Sequence, residues 1–209
     1  MKKTVYAYLF GILLSASGLV SCNNTGTQNQ DQNAAQTETP DQRTEEAALS
    51  GEELIAKGEH LVITSGCDDC HSPKKYNNGI PEADPDKRLS GHPADLKLAP
   101  YDANTVKNGW AMTNQHFTAW VGPWGTSFAS NITPDSATGI GALTEEQFFT
   151  VLREGKYHGA KDGRMLLPPM PWPNFSKFTD EEIRAIYSFL KSTKPIKNQV
   201  PAPIPPKGA

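Results

Sequence analysis

Residues 67–71 read Cys67-Asp68-Asp69-Cys70-His71, and the fold turns on what these five are for. The C-x-x-C-H pattern is the attachment signature of c-type haem. Two thiols three positions apart on a helical turn can reach the two vinyl groups of one porphyrin and form thioethers, while the adjacent imidazole points at the iron. Two other chemistries use paired cysteines. A thioredoxin-like redox pair belongs beside a βαβ pattern, which the surrounding sequence lacks. A structural zinc site needs four ligands, and the only cysteine outside the pair in the 209-residue chain is the distant Cys22. The expectation is one covalent haem c, held by Cys67 and Cys70, with His71 as an axial ligand of its iron.

Outward from this motif, helix starts are signalled by capping boxes, in which a hydroxyl and a Glu or Gln three residues later satisfy free N–H groups. Ser50-Gly51-Glu52-Glu53 opens a helix running to about Ile63, with Leu54, Ile55, Leu61 and Val62 at near-helical spacing. Thr144-Glu145-Glu146-Gln147 opens a second, ending near Gly155, with Phe148, Val151 and Leu152 on one face. Thr179-Asp180-Glu181-Glu182 opens a third, in which Ile183, Ile186, Tyr187 and Leu190 recur before Pro195. From about Ser72 to Leu143 the chain is rich in Gly, Pro, Asn and Asp, without a long periodic stretch. So long an irregular segment counts against a compact domain unless something else organises it. A porphyrin supplying the apolar core would do so, and the haem-free chain is expected to be largely unfolded.

The N-terminus reads as an export signal. Lys2 and Lys3 precede an apolar run from Val5 to Leu14 and then small residues. That run is shorter than the ~20 residues a membrane-spanning helix needs. Leu19-Val20-Ser21-Cys22 resembles the lipobox of bacterial lipoproteins, which makes Cys22 the lipidation site and first mature residue; the alternative is an ordinary signal peptide with an incidental cysteine. Asn23 to about Ser50 is polar and has no aromatic residue, the composition of a disordered tether. Of the formal net charge of −3, the tether alone carries −4, from five acids against Arg43, so residues 51–209 are close to neutral. Such a balance gives no basic footprint for nucleic acid. The expected organisation is a signal peptide over 1–21, a lipidated acidic tether over 22–50, a haem domain over 51–194 and a Pro-rich extended tail over 195–209, lying on the surface or projecting from it. The protein is expected to be exported and anchored by lipid to a bacterial membrane, facing the periplasm. Asn23, which is not the Asp that retains some lipoproteins at the inner membrane, leans toward the outer one.

The helix, C-x-x-C-H and late helix together resemble a class I cytochrome c. That resemblance implies a mostly α fold, with N- and C-terminal helices packed around covalent haem, long irregular loops, and a methionine between them as second axial ligand. Gly58 and Tyr187 fall where that family packs a small residue of the first helix against an aromatic of the last. Residues 122–193 are similar to one haem domain of the cytochrome subunits of membrane-bound bacterial dehydrogenases: Gly125 to Asp135, Thr138-Gly139-Ile140-Gly141, Phe148 to Gly155, Pro169-Met170-Pro171-Trp172 and the last helix. Those subunits usually carry several haem motifs, and this chain has one.

After Met1, the methionines are Met112, Met165 and Met170. Pro168, Pro169, Pro171 and Pro173 restrict φ around Met170, as suits a thioether held on iron, and Met170 matches the family's Met-Pro-aromatic pattern. Met165, beside Leu166 and Leu167, suits core packing and is the main competitor. A bis-His site keeps His60, His92, His116 and His158 in view: His60 is expected on the surface, His92 and His116 in solvent-facing roles, and His158 in a Gly-flanked loop. The second ring N–H of His71 is expected on a backbone carbonyl. Donors for the haem carboxylates are available in Trp110, Trp120, Trp124, Trp172, Arg153, Arg164 and Asn131, with none singled out. His/Met ligation implies transfer of single electrons by a protein that is not itself an enzyme, with membrane or periplasmic redox proteins as partners. The alternatives are a cytochrome subunit of a membrane-bound dehydrogenase or terminal oxidase complex, and a haem sensor or peroxidase with a labile sixth ligand.

Overall fold

The computed structural model describes residues 49–206; the expected signal peptide, Cys22 and the tether as far as residue 48 lie outside the described residues. All three capping boxes form. Helix α1 spans Gly51–Thr64, α4 Glu145–Glu154 and α6 Asp180–Ser192, capped by Ser50, Thr144 and Thr179. In each, the hydroxyl accepts the third residue's N–H, and that residue's side chain accepts the cap's own. Gly155, at φ 67°, ends α4 in the left-handed conformation that a residue without Cβ adopts freely.

Helices α1 and α6 pack directly on one another. A Cβ at Gly58 would lie 2.0 Å from the Ala185 carbonyl oxygen and 2.7 Å from Phe189 Cβ, so the two backbones meet at that glycine. The expected pairing of Gly58 with Tyr187 is therefore corrected: Tyr187 faces α4, its ring 5.4 Å from that of Phe148 and its hydroxyl donating to the Leu143 carbonyl at 2.9 Å. Lys57 and Glu181 pair across the same crossing. Val62 joins Ile183, Ile186, Phe189 and Leu190 of α6, Phe148 and Leu152 of α4, and Leu89 and Ile140 in one core.

The mostly α expectation is overturned. Of the described residues 36% are in helices and 13% in strands, which form two small antiparallel sheets. Strands β1 (Lys74–Asn77) and β2 (Ile80–Ala83) form a hairpin around Asn78 and Gly79, whose φ of 50° and 82° are those of a primed turn. Strands β3 (Met112–Thr113), β4 (Ala119–Gly122) and β5 (Gly125–Phe128) form a second sheet in that order. The physical reason is the obligation of backbone N–H and C=O groups to find partners. About a quarter of the segment expected to be irregular, 18 of residues 72–143, pairs with itself in short ladders. Short helices α2 (Cys67–His71), α3 (Ala103–Lys107) and α5 (Trp172–Phe175), with 3₁₀ turns at Pro85–Lys87 and Tyr157–Gly159, complete the elements among the described residues.

The Pro-rich end lies against the protein. Thr126 and Ile204 exchange both backbone hydrogen bonds, at 2.7 and 2.9 Å. The Asn198 side chain donates to the Ser90 and His92 carbonyls and accepts from the Ala94 N–H. Asn131 Nδ2 donates to the Ile196 carbonyl at 2.7 Å.

Candidate haem site

Gly66, at φ 73°, turns the chain out of α1 and into α2, which carries Cys67, Cys70 and His71. This five-residue turn has no apolar face of its own, and polar groups fix it. Arg88 donates to both carboxylate oxygens of Asp68, through Nε at 3.0 Å and Nη2 at 2.8 Å. The Ser72 hydroxyl donates to Asp68 Oδ1 and receives the Leu89 N–H. Lys74 Nζ donates to the Asp68 and Ser72 carbonyls, satisfying acceptors at the end of the turn.

His71 Nδ1 lies 2.7 Å from the Ser130 carbonyl oxygen. A carbonyl can only accept, so Nδ1 carries the proton and Nε2 keeps its lone pair, the tautomer a metal ligand needs. Burial holds the imidazole pKa below its ordinary value, which keeps it neutral. The Gly91 N–H donates to the His71 carbonyl at 2.7 Å, and Gly91 itself, at φ 78°, lets residues 90–92 approach Ala129 and Ser130 closely.

Both thiols are free. Burial and the neighbouring Asp68 carboxylate push the Cys67 thiol up to about 12, and burial with Asp69 raises that of Cys70. A redox-active pair has the opposite signature, a thiol lowered toward neutrality. Among the described residues no three of His, Cys, Asp and Glu converge as a metal site, so a protein-only zinc centre has no donor set there.

Cys67, Cys70 and His71 open onto a cavity of about 370 Å³. Its far wall comes from α4, α6 and the segment between them, including Phe148, Leu152, Ile186, Leu190 and Met170. The size suits a cofactor site, which is commonly apolar with a few convergent polar groups. Of the methionines among the described residues, Met170 alone is in the wall. Met165 is 41% exposed, its backbone bridged to Lys156, so the expectation that it packs in the core is corrected. Of the other histidines only His158 reaches the cavity. His92, expected to face solvent, is fully buried, with Nδ1 on the Thr118 hydroxyl and Nε2 on the Leu96 carbonyl. His60 is exposed, and His116 Nδ1 accepts the Lys74 N–H.

Trp120, Asn131 and Arg164 are the candidate carboxylate donors that line the cavity. Asn131 is committed to Thr138 and Ile196, and Trp120 Nε1 to the Phe117 carbonyl. Arg164, its guanidinium 3.9 Å from the Tyr157 ring centre, is the only Lys or Arg in the wall among the described residues. Arg153 is held by Ser176 and Asp180, and Trp110 is 69% exposed.

Two thiols and a neutral imidazole at one end of an apolar cavity, with a thioether in its wall, are residues that fit a covalent haem. No family model matches the chain. Its sequence is similar to cytochrome subunits of dehydrogenases. Over 82 residues, 39% of this chain and 16% of the relative, it is 44% identical to the cytochrome c subunit of the quinone alcohol dehydrogenase of Gluconobacter oxydans. Over 156 residues, 71% of this chain and 24% of the relative, it is 29% identical to the fructose dehydrogenase cytochrome subunit of Gluconobacter japonicus. The gluconate 2-dehydrogenase cytochrome c subunit of Pantoea cypripedii is 28% identical over 140 residues, 66% of this chain and 22% of the relative. The resemblance to dehydrogenase cytochrome subunits expected from residues 122–193 is thus borne out, and the chain spans less than a quarter of the length of these relatives.

Proposed function

We propose that the protein is a c-type cytochrome that carries single electrons for an oxidoreductase and is not itself the catalyst. Cys67 and Cys70 would hold one haem c through thioethers, with His71 Nε2 and the Met170 sulfur as the ligands of its iron. Bound there, the haem supplies an iron that takes up and returns one electron. The Ser130 carbonyl orients the His71 ring and raises its basicity. The apolar wall disfavours the extra charge of ferric iron, and a thioether ligand raises the reduction potential in the same direction. With His71 and Met170 both supplied by the chain, the bound iron would keep no position for peroxide or oxygen. The observation that supports this reading most is that His71 and Met170, far apart in sequence, line one apolar cavity with the two cysteines.

Residues 1–21 direct export and Cys22 bears the lipid, so that the tether over 22–50 keeps a haem domain beginning at residue 51 beside a membrane on its periplasmic side. Among the described residues no helix is long and apolar enough to cross a membrane. A leash of that kind raises the local concentration of membrane redox partners. The named relatives favour a dehydrogenase subunit as the partner; copurification with one separates a fixed subunit from a free shuttle.

The test of the site is the optical spectrum of holoprotein. Met170→Ala is expected to abolish the near-infrared-edge band of Met-ligated ferric haem and to open the ferrous iron to carbon monoxide. Retention of the band in this variant, with its loss in Met165→Ala, would sink the ligand assignment.

A further inference from the structure

Pro168, Pro169 and Pro171 have no N–H, so the segment that presents Met170 can be held from outside mainly through its carbonyls. One such tie crosses from the second sheet. The Ser127 hydroxyl, on β5, donates to the Pro168 carbonyl at 2.5 Å. Ser127 is 6% exposed, lines the cavity, and receives the Trp124 indole N–H at 3.2 Å, which orients its own proton toward Pro168. Trp124 is wedged in turn, since a Cβ on Gly122 would come within 2.4 Å of its ring. The same stretch of chain, three residues on, supplies the Ser130 carbonyl to His71.

We infer that Ser127 is a positioning residue for the iron site: β5 and its continuation to Ser130 form one frame that holds both axial groups, His71 through a carbonyl and the Met170 segment through a hydroxyl. The inference rests on Met170 being the sixth ligand. A free Pro168–Met170 segment swings away and takes the thioether with it. A segment tied at Pro168 returns the thioether to the same place after each excursion. Ser127 touches neither haem nor iron in this account; it acts through the Pro168 carbonyl.

The rate of carbon monoxide binding to ferrous holoprotein reads how often the thioether leaves the iron. Ser127→Ala removes the donor to the Pro168 carbonyl and the acceptor of the half-buried Trp124 indole N–H, so about tenfold faster binding is expected. Ser127→Thr keeps the hydroxyl and is expected to restore the wild-type rate. Gly58→Ala, destabilised at the α1–α6 crossing and touching neither β5 nor Pro168, is expected to leave the rate alone, which separates positioning from general loosening. An unchanged rate in Ser127→Ala, beside loss of the near-infrared-edge band in Met170→Ala, overturns the positioning role and leaves the ligand standing. A band that survives Met170→Ala overturns both. If Ser127→Ala yields no holoprotein, Trp124→Phe carries the test: a smaller acceleration supports the frame, and the wild-type rate overturns it.

Discussion

His92 shows how a single residue can hide its role in sequence and declare it in structure. It sits among Gly, Pro and Ala, surroundings that suggest a solvent-facing loop. Instead its ring is fully buried 4.8 Å from the Phe128 ring, with both nitrogens used. Nε2 faces the Leu96 carbonyl and must carry the proton, so Nδ1 accepts from Thr118, whose hydroxyl in turn receives the Asn114 amide. A second proton, on Nδ1, would force the Thr118 hydroxyl to accept where it now donates. Burial holds the pKa below the ordinary imidazole value, nearby His116 acts in the same sense, and the Leu96 carbonyl and Asp95 oppose them. The unfolded chain takes up this proton near pH 6.5, and the folded one only at lower pH. The contribution of His92 to stability is therefore complete above that value and is lost as pH falls below it. Denaturant melts of holoprotein between pH 8 and 5 are expected to show this decline, and His92→Gln to flatten it; equal slopes in both would exclude His92 as the source.

At the scale of elements, the three long helices were legible because each carries a cap and a periodic apolar face, two signals that agree. The strands were not, because they run two to four residues and show little alternation. One was within reach: Asn78-Gly79 is the dipeptide of a primed hairpin turn, and Tyr76 and Ile80 flank it. The cavity was half legible. The C-x-x-C-H turn and the proline-flanked Met170 stand out locally, but the Ser130 carbonyl and the Ser127 hydroxyl reach the site only through tertiary folding. The α1–α6 crossing was also seen in part: Gly58 marks the close approach, but it meets Ala185 and Phe189 and not the expected Tyr187. An alanine normally favours a helix over glycine by about 1 kcal/mol. Here its Cβ would meet the rigid Ala185 backbone at 2.0 Å, so the sign reverses. Gly58→Ala is expected to cost about 3 kcal/mol, the upper range for overpacking, or roughly 10 °C of melting temperature at this size. A melt unchanged or raised would mean the helices separate without penalty.

The whole molecule is built around a space that its own side chains do not fill. Phe148, Leu152, Ile186 and Leu190 belong to the hydrophobic core and also line the 370 Å³ cavity, so core and site are one structure. For a closed apolar cavity the cost is about 24 cal/mol per Å³, so about 9 kcal/mol is the ceiling for 370 Å³. Water entering through the open side lowers that figure, at the expense of wetting apolar surface. A domain is typically stable by only about 5–15 kcal/mol in all, so the cost is comparable to everything available. The sheets reduce the burden, because their backbone groups are paired without any bound group, but they do not fill the cavity. Filling it couples folding to cofactor attachment. The Cys67→Ser, Cys70→Ser double variant, which cannot form thioethers, is accordingly expected to purify without haem, to retain part of its helical circular dichroism from the capped α1, α4 and α6, and to show no cooperative heat-absorption peak in calorimetry. A sharp cooperative transition in that haem-free protein would mean that the chain closes its core by itself, and that the apolar cavity collapses when nothing occupies it.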